Sequence, residues 1–243
     1  MKVAMIPPLG SVGLAEGDYH LILPQYIDSY KRSHYKLFYQ ETEGYKILDN
    51  GAAEGKLASN DRLMEVACEI AVDDIVVPDV LGDAGASYRL ATDFQTVAKD
   101  YDWFNYIGVV QGRDRAEIVQ SIHLLMDVEY IKILAVPRHL CQKVHKYIRY
   151  DIVEALYDDI EDRFEAIHFL GSSAWAKEPV ILSDLPIARG IDTSFPIYMG
   201  MSGLEIGKDR WIPRPRKYFK ENYTSEQERL ARANIDKYRM WAS

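Results

Sequence analysis

Acidic and amide side chains stand where short apolar segments of this sequence end. The stretch "YKILDNGAAEG" (45–55) runs through apolar residues to Asp49 and then passes into glycine and alanine. Asp79 follows "IVVP", Gln111 follows "IGVV", and Asp192 follows "ARGI". Carboxyl groups serve as nucleophiles or proton carriers, and an amide both donates and accepts hydrogen bonds. Each residue alone is more often a helix cap or loop residue, but their shared position indicates a common site.

The dipeptide Asn50-Gly51 supports a competing interpretation of the first of these segments. Asn-Gly is the strongest two-residue hairpin signal, because both residues accept positive φ. Asp49 would then close a strand before a tight turn. Alternatively, the small residues Ala52 and Ala53 leave room for a ligand, and the segment is the floor of a site.

The chain alternates short β-rich segments with longer amphipathic patterns, which is typical of a parallel sheet built from βα units. Seven or eight such units predict a single (β/α)8 TIM barrel over residues 1–243. A doubly wound sheet is the alternative, but neither G-x-G-x-x-G after the first strand nor G-x-x-x-x-G-K-[ST] occurs. The predicted strands are 3–6, 36–40, 45–48, 74–78, 106–112, 131–137, 166–171 and 187–192, and the predicted helices are 59–72, 86–100, 114–127, 139–158 and 225–241.

In such a barrel, functional side chains lie where each strand ends and its following loop begins. These positions predict a polar rim made of Asp49, Asp79, Gln111-Gly112, Pro137-Arg138, His168, Gly171 and Asp192.

The amino-acid composition limits the classes of protein to which this chain can belong. The 243 residues are 48% hydrophobic and 27% charged, as in ordinary globular proteins, with a formal net charge of −8. That charge argues against a protein covered by nucleic acid but allows one local basic patch. The start "MKVAMIPPLG" predicts a strand and a turn, not a signal peptide, and no apolar window reaches the ~18 residues of a membrane span. We expect a cytoplasmic protein without membrane contact.

Neither cysteine nor histidine spacing indicates a metal site. Cys68 and Cys141 fall in separate predicted helices, and reduced cysteines fit a reducing compartment. The six histidines are scattered without an H-E-x-x-H pattern. His168 lies in a predicted strand and is interpreted as structural. We therefore expect no metal and no cofactor.

One basic stretch stands out in this acidic chain: "GKDRWIPRPRKYFKENY" (207–223). Two prolines predict an extended loop, and interleaved basic and aromatic residues suit a phosphate backbone with splayed bases. A solvated loop that packs its aromatics against the barrel is the alternative. The candidate nucleic-acid contacts are Lys208, Arg210, Arg214, Arg216, Lys217 and Lys220.

The order of these segments resembles the tRNA-guanine transglycosylase superfamily, in which a (β/α)8 barrel exchanges guanine for a 7-deazaguanine. The family has an Asp-containing glycine-rich loop, an acid after the next strand, a V-Q-G strand end, a glycine loop and a late aspartate. The corresponding segments are "LDNGAAEG" (48–55), "VVPDVLGD" (76–83), "GVVQGRD" (108–114), "HFLGSS" (168–173) and "GIDTSFP" (190–196).

The resemblance implies DNA as the substrate more than tRNA. The tRNA enzymes carry a zinc subdomain after the last acid, and two isolated cysteines cannot form one. The chain is more similar to the short phage and bacterial 7-deazaguanine DNA transglycosylases of the DpdA type. The implied partners are DNA and a free base such as preQ0, in the host cytoplasm if the protein is phage-encoded. The oligomeric state stays open, with a homodimer among the alternatives.

The resemblance also implies roles for the rim residues. Asp192 would be the nucleophile that traps C1′ of the sugar covalently, as retaining glycosidases do. Asp49 would be the general acid/base or a base-recognition group, with a pKa raised by neighbouring carboxyls. Asp79 would accept hydrogen bonds from the donors of guanine. The remaining base-binding positions are Gln111, Gly112 and Gly171.

Two other functions remain open from the sequence. The same carboxylates with water admitted would make an N-glycosidase, and a degenerate barrel would be a non-catalytic nucleic-acid-binding or partner subunit. The presence of Asp49, Asp79 and Asp192 together argues against a barrel that has lost its catalytic residues. Aromatic side chains that could stack on a base, each more often a core residue, are Trp103, Phe169, Trp175 and Tyr198.

Overall fold

Eight parallel strands form one sheet that curves into a nearly closed (β/α)8 barrel, as predicted. The computed structural model describes residues 1–27, 33–172, 177–208 and 211–243, except for the side chains of residues 33 and 143. The hydrogen-bonded order is β1-β8-β7-β6-β5-β4-β3-β2, and β1 also lies beside β2. The strands are β1 (Lys2–Met5), β2 (Tyr19–Ile22), β3 (Tyr45–Leu48), β4 (Asp74–Val76), β5 (Asn105–Val109), β6 (Ile131–Ala135), β7 (Ala166–Phe169) and β8 (Ala188–Thr193).

Helices connect the strands on the outside of the barrel. Several begin at a polar capping residue: Ser59, Asp83 and Asp114 each accept a backbone N–H in the first turn. The helices are α1 (Ser33–Glu41), α2 (Asn60–Ile70), α3 (Ala84–Asp100), α4 (Arg115–Met126), α5 (His139–Lys143), α6 (Ile148–Ala155), α7 (Tyr157–Arg163), α8 (Glu178–Ser183), α9 (Phe195–Met201) and α10 (Ser225–Ala242).

The predicted strand at 36–40 is wrong, because this segment lies in α1. Tyr35 and Tyr39, one helical turn apart, are both buried, with ring centroids 4.9 Å apart. Burial at helical spacing therefore outweighs the β-propensity of the aromatic residues. The strand between β1 and β3 is β2 instead, a fully buried segment that the sequence prediction missed.

The predicted helix 139–158 is three short helices, α5, α6 and α7. The backbone leaves helical geometry at Val144, where φ is −111° and ψ is −77°, and again at Leu156. The breaks allow Arg149 in α6 to turn inward and become buried.

The C-terminal helix α10 packs against α9, α8 and β1. Its N-terminus has a capping box, in which Thr224 and Gln227 bond each other's backbone N–H groups. None of the helices within the described ranges is long and apolar enough to cross a membrane.

Candidate active site

A cavity of about 460 Å³ opens at the carboxyl ends of the strands. The tertiary structure brings most of the predicted rim to this one place, because all eight strands end at the same edge of the barrel. Two predicted rim residues do not line the cavity: His168 is buried in β7, and Gly112 packs against α4, where a Cβ on it would lie 2.7 Å from the backbone nitrogen of Ile118. The predicted residues that line the cavity are Asp49, Asp79, Gln111, Pro137, Arg138, Gly171 and Asp192.

Asp79 is held by two amide side chains. Asn50 Nδ2 donates to Asp79 Oδ1 at 2.7 Å, and Gln111 Nε2 donates to Asp79 Oδ2. Burial raises the pKa of Asp79, and the hydrogen bonds from Asn50 and Gln111 oppose this shift. The three side chains therefore form a fixed polar wall in which the carboxyl group cannot rotate.

Further hydrogen bonds fix the orientation of Gln111 and Asn50, the two amide side chains that hold Asp79. Gln111 Oε1 accepts from the backbone nitrogen of Gly82 at 2.8 Å. Asn50 Nδ2 also donates to the carbonyl of Val77, and Asn50 Oδ1 accepts from the nitrogen of Ala52. The sequence analysis treated Asn50 only as a turn residue, and its place at the same strand end as Asp49 was the signal that could have revealed it.

The Asn50-Gly51 segment makes a turn but no hairpin, since β3 and β4 are parallel. Gly51 has a φ of 81° and starts a short 3-10 turn that carries Glu54 into the cavity. Glu54 is a further carboxyl that the sequence analysis missed. Burial raises its pKa, and Arg214 opposes this shift.

Asp49 lies in the most charge-crowded position of the cavity. Burial raises its pKa well above the ordinary value, and the neighbouring carboxyls of Glu54, Asp192 and Asp79 raise it further. Its backbone nitrogen donates to the carbonyl of Ile22 at 2.9 Å, which fixes the strand end. Asp49 is therefore suited to hold and release a proton.

Asp192 has a different environment from the other acids. Its Oδ1 accepts from the backbone nitrogen of Gly171 at 2.9 Å and lies 3.1 Å from His168 Nε2. No residue in the described part of the chain donates a hydrogen bond to Oδ2. His168 is fully buried in β7, so the residue interpreted as structural contacts a predicted catalytic group.

A buried ion pair supports the loop that carries Gly171. Arg149 and Glu178, 1% and 3% exposed, lie 2.6 Å apart. Arg149 Nη1 donates to the carbonyls of Gly171 and Val136 at 2.8 and 3.2 Å. A basic residue inside the amphipathic pattern of 139–158 was the signal that sequence reasoning left unused.

Two arginines line the cavity beside its carboxyl groups. Arg138 comes from the end of β6, and Arg214 comes from the basic segment. Arg214 stacks over the rings of Tyr218 and Phe219, at 5.7 and 5.4 Å from their centroids. The segment 211–220 thus returns to the mouth of the cavity, so it is more than a remote solvated loop.

The other predicted basic contacts lie outside the cavity lining. Lys208 forms an ion pair with Glu205 at 2.9 Å. Arg216, Lys217 and Lys220 are exposed, and Arg210 lies outside the described residues.

The residues predicted to stack on a base lie in different parts of the structure. Tyr198 lines the cavity and accepts a hydrogen bond from Trp211 Nε1 at 2.9 Å. Phe169 is fully buried, and Trp103, 65% exposed, precedes β5 at the opposite end of the barrel, so neither can stack on a ligand in this cavity. Trp175 lies outside the described residues.

No family model and no curated protein matches this chain. The functional class is therefore argued from the site itself, in which four carboxyl groups, three amides and two arginines line one cavity. Among the described residues, no group of three or more histidine, cysteine, aspartate or glutamate side chains could hold a metal ion.

Proposed function

We propose that this protein is a guanine transglycosylase of the kind that its motifs resemble, which replaces guanine in DNA with a 7-deazaguanine such as preQ0. The proposal rests on one observation: the carboxyl groups of Asp192 and Asp79 differ in how their oxygens are hydrogen-bonded. Asp192 has one oxygen engaged and the other without a described donor, whereas Asp79 is locked by Asn50 and Gln111. The first arrangement suits a nucleophile, and the second suits a recognition group.

In this mechanism, Asp192 Oδ2 forms a bond to C1′ of the nucleotide as the bond from C1′ to guanine N9 breaks. The electron pair of that bond goes to the base, and Asp49 gives its proton to the departing base. Asp49, now a carboxylate, then takes the N9 proton of the incoming 7-deazaguanine. N9 attacks C1′, and the carboxylate of Asp192 leaves. The raised pKa of Asp49 supports this role, because the group must hold a proton near neutral pH.

Asp79 accounts for the choice of base. Guanine presents its N1–H and exocyclic amine as adjacent donors, and a carboxylate accepts from both. A 7-deazaguanine keeps that edge and differs at position 7, so the same wall binds both the leaving and the entering base. Arg138 and Arg214 supply positive charge for the phosphates that flank the nucleotide.

Nucleoside mass spectrometry tests the proposal. The protein is incubated with preQ0 and with duplex DNA, single-stranded DNA or tRNA, and the nucleosides are analysed after digestion. We expect incorporation into DNA by the native protein and none by Asp192→Ala, with the exposed Asp93→Asn as a control that retains exchange.

Three outcomes would contradict the proposal. Incorporation into tRNA alone excludes DNA as the substrate. Release of free guanine without incorporation indicates an N-glycosidase. Unchanged exchange by Asp192→Ala excludes the covalent mechanism.

A further inference from the structure

A continuous hydrogen-bonded relay runs from Asp192 into the barrel interior. His168 Nδ1 lies 2.8 Å from the hydroxyl of Tyr19, and Arg189 Nε donates to that hydroxyl at 3.3 Å. Arg189 in turn forms an ion pair with Asp74. Barrel interiors are usually filled by branched apolar residues, and burying polar groups is costly unless they are paired. The relay therefore needs an explanation beyond packing.

Gly190 leaves the space that the ring of Tyr19 occupies inside the barrel. A Cβ on Gly190 would lie 2.4 Å from the ring of Tyr19, so the absence of a side chain there makes room for Tyr19 beside β8. Arg189 also donates to the hydroxyl of Tyr45 at 2.9 Å, and that hydroxyl donates to Asp74. The charge of Arg189 is thus balanced by Asp74, and the guanidinium is held in place.

The relay determines which nitrogen of His168 carries the proton. A guanidinium can only donate, so the hydroxyl oxygen of Tyr19 accepts from Arg189. The hydroxyl hydrogen then points to His168 Nδ1, its one acceptor among the described residues. The hydroxyl hydrogen of Tyr19 has this acceptor only when His168 Nδ1 is unprotonated. The hydrogen of a neutral imidazole then lies on Nε2 and is donated to Asp192 Oδ1.

We infer that Tyr19, His168 and Arg189 are positioning residues, which hold a neutral imidazole against Asp192 Oδ1 and thereby leave Oδ2 as the reacting oxygen. The catalytic half of this inference rests on the proposed function, whereas the tautomer is a property of the protein alone. A neutral donor orients the carboxylate without cancelling its charge, which a nucleophile needs. An imidazolium would neutralise it.

The groups around the imidazole of His168 match this one tautomer. The groups that face this imidazole are Asp192 from β8 and Tyr19 from β2, with Arg189 behind Tyr19. A second proton, on Nδ1, would meet the hydroxyl of Tyr19 and leave its hydrogen without a described acceptor. Burial raises the pKa of Tyr19, which is consistent with a hydroxyl that keeps its hydrogen.

Nitrogen NMR of histidine-labelled protein tests the tautomer, with the His168→Asn spectrum used to assign the signal. In the native protein we expect a single tautomer, with a protonated Nε2 and an unprotonated Nδ1. Tyr19→Phe removes the donor to Nδ1, so the His168 signal should no longer report this single tautomer. Tyr106→Phe, which loses a hydroxyl bonded to Tyr101 outside the relay, should leave the signal unchanged.

The same variants separate positioning from simple structural support. For Tyr19→Phe we expect kcat for base exchange to fall by about 10-fold to 100-fold with KM little changed, in the range found when an orienting group is removed. The tautomer signal of His168 should change in the same variant, because the imidazole is no longer held by Tyr19. A loss of stability alone would lower the folded fraction and leave both kcat and the tautomer signal of the folded protein unchanged.

A proton on Nδ1 of His168 in the native protein would overturn the inference, as would a Tyr19→Phe variant with the native tautomer signal and the native kcat. If the native protein exchanges no base on any nucleic acid, the proposed function fails. The NMR result then decides the tautomer by itself, because it is read from the native protein and requires no exchange activity.

Discussion

At the residue scale, the cavity acids differ through their surroundings although their chemistry is the same. Asp79 is fixed by two amide donors, Asp192 by a backbone nitrogen and an imidazole, and Asp49 has mainly other carboxyls nearby. A carboxyl without strong donors is the one that keeps its proton, which is why the proposed mechanism makes Asp49 the proton carrier. The neighbouring carboxyl groups also raise the free energy of ionising Asp49 in the folded protein.

We predict that Asp49→Asn stabilises the fold at neutral pH while it abolishes base exchange. The folded protein keeps the Asp49 proton at pH values where the unfolded chain has lost it, because the folded pKa is raised. The stability linked to this group is therefore full below the ordinary aspartate pKa of about 4 and is lost as the pH rises through the raised value. Urea unfolding at pH 7 should show a gain of about 1 kcal/mol or more for Asp49→Asn.

The gain should disappear in urea unfolding below about pH 4, where both states of the native chain are protonated. Asp93→Asn, an exposed change on α3, is the matched control and should show no such pH-dependent gain. A neutral-pH loss of stability in Asp49→Asn would show that its carboxyl is ionised and favourably paired in the folded protein.

At the element scale, the interruption between α5 and α6 is tied to the site. A continuous helix over 139–158 would satisfy the local pattern, but the broken one places Arg149 against the carbonyls at the ends of β6 and β7. Glu178 at the start of α8 neutralises its charge. The pair therefore joins two helices to the loop whose backbone nitrogen holds Asp192.

We predict that Arg149→Met destabilises the protein by about 3 to 5 kcal/mol, because it leaves Glu178 buried without its ion partner. The double variant Arg149→Met, Glu178→Met should recover much of that loss, since apolar side chains can replace a buried pair. Urea unfolding of the two single variants and the double variant measures the coupling. Additive losses would mean that the pair contributes little and that the carbonyl contacts of Arg149 dominate.

At the scale of the whole molecule, the charge distribution restricts where a polyanion can bind. The chain carries a formal net charge of −8, so most of its surface repels nucleic acid. The basic segment ends at the cavity mouth, and Arg214 reaches into the lining. Binding should therefore be confined to the rim at the carboxyl ends of the strands, and it should depend strongly on salt.

We predict that Arg214→Gln weakens DNA binding and lowers the slope of log affinity against log salt by about 1. Titration of a labelled oligonucleotide at several salt concentrations measures both quantities. Lys99→Gln, an exposed change in the last turn of α3 at the other end of the barrel, should change neither. An equal effect of the two variants would indicate non-specific attraction with no defined contact at the rim.

The sequence predicted a helix or strand correctly where the local pattern and the tertiary environment favour the same structure. Examples are the helices predicted at 59–72 and 114–127, which are α2 and α4, and the apolar segments of β3 to β8. It was wrong at 36–40, where aromatic residues have high β-propensity but lie at helical spacing against the core. It missed β2, since four buried residues give no alternating pattern that distinguishes a strand.

By itself the sequence determined that the chain forms parallel βα units, and hence that Asp49, Asp79, Gln111 and Asp192 share one rim, because parallel strands end at the same edge. Only the tertiary structure decided how those side chains are held. Tyr19 and Arg189 are 170 positions apart, and their contact exists because the barrel brings β2 and β8 together around its interior. Local patterns specify the period and direction of each element, whereas the partner of a buried polar group depends on how the whole sheet closes.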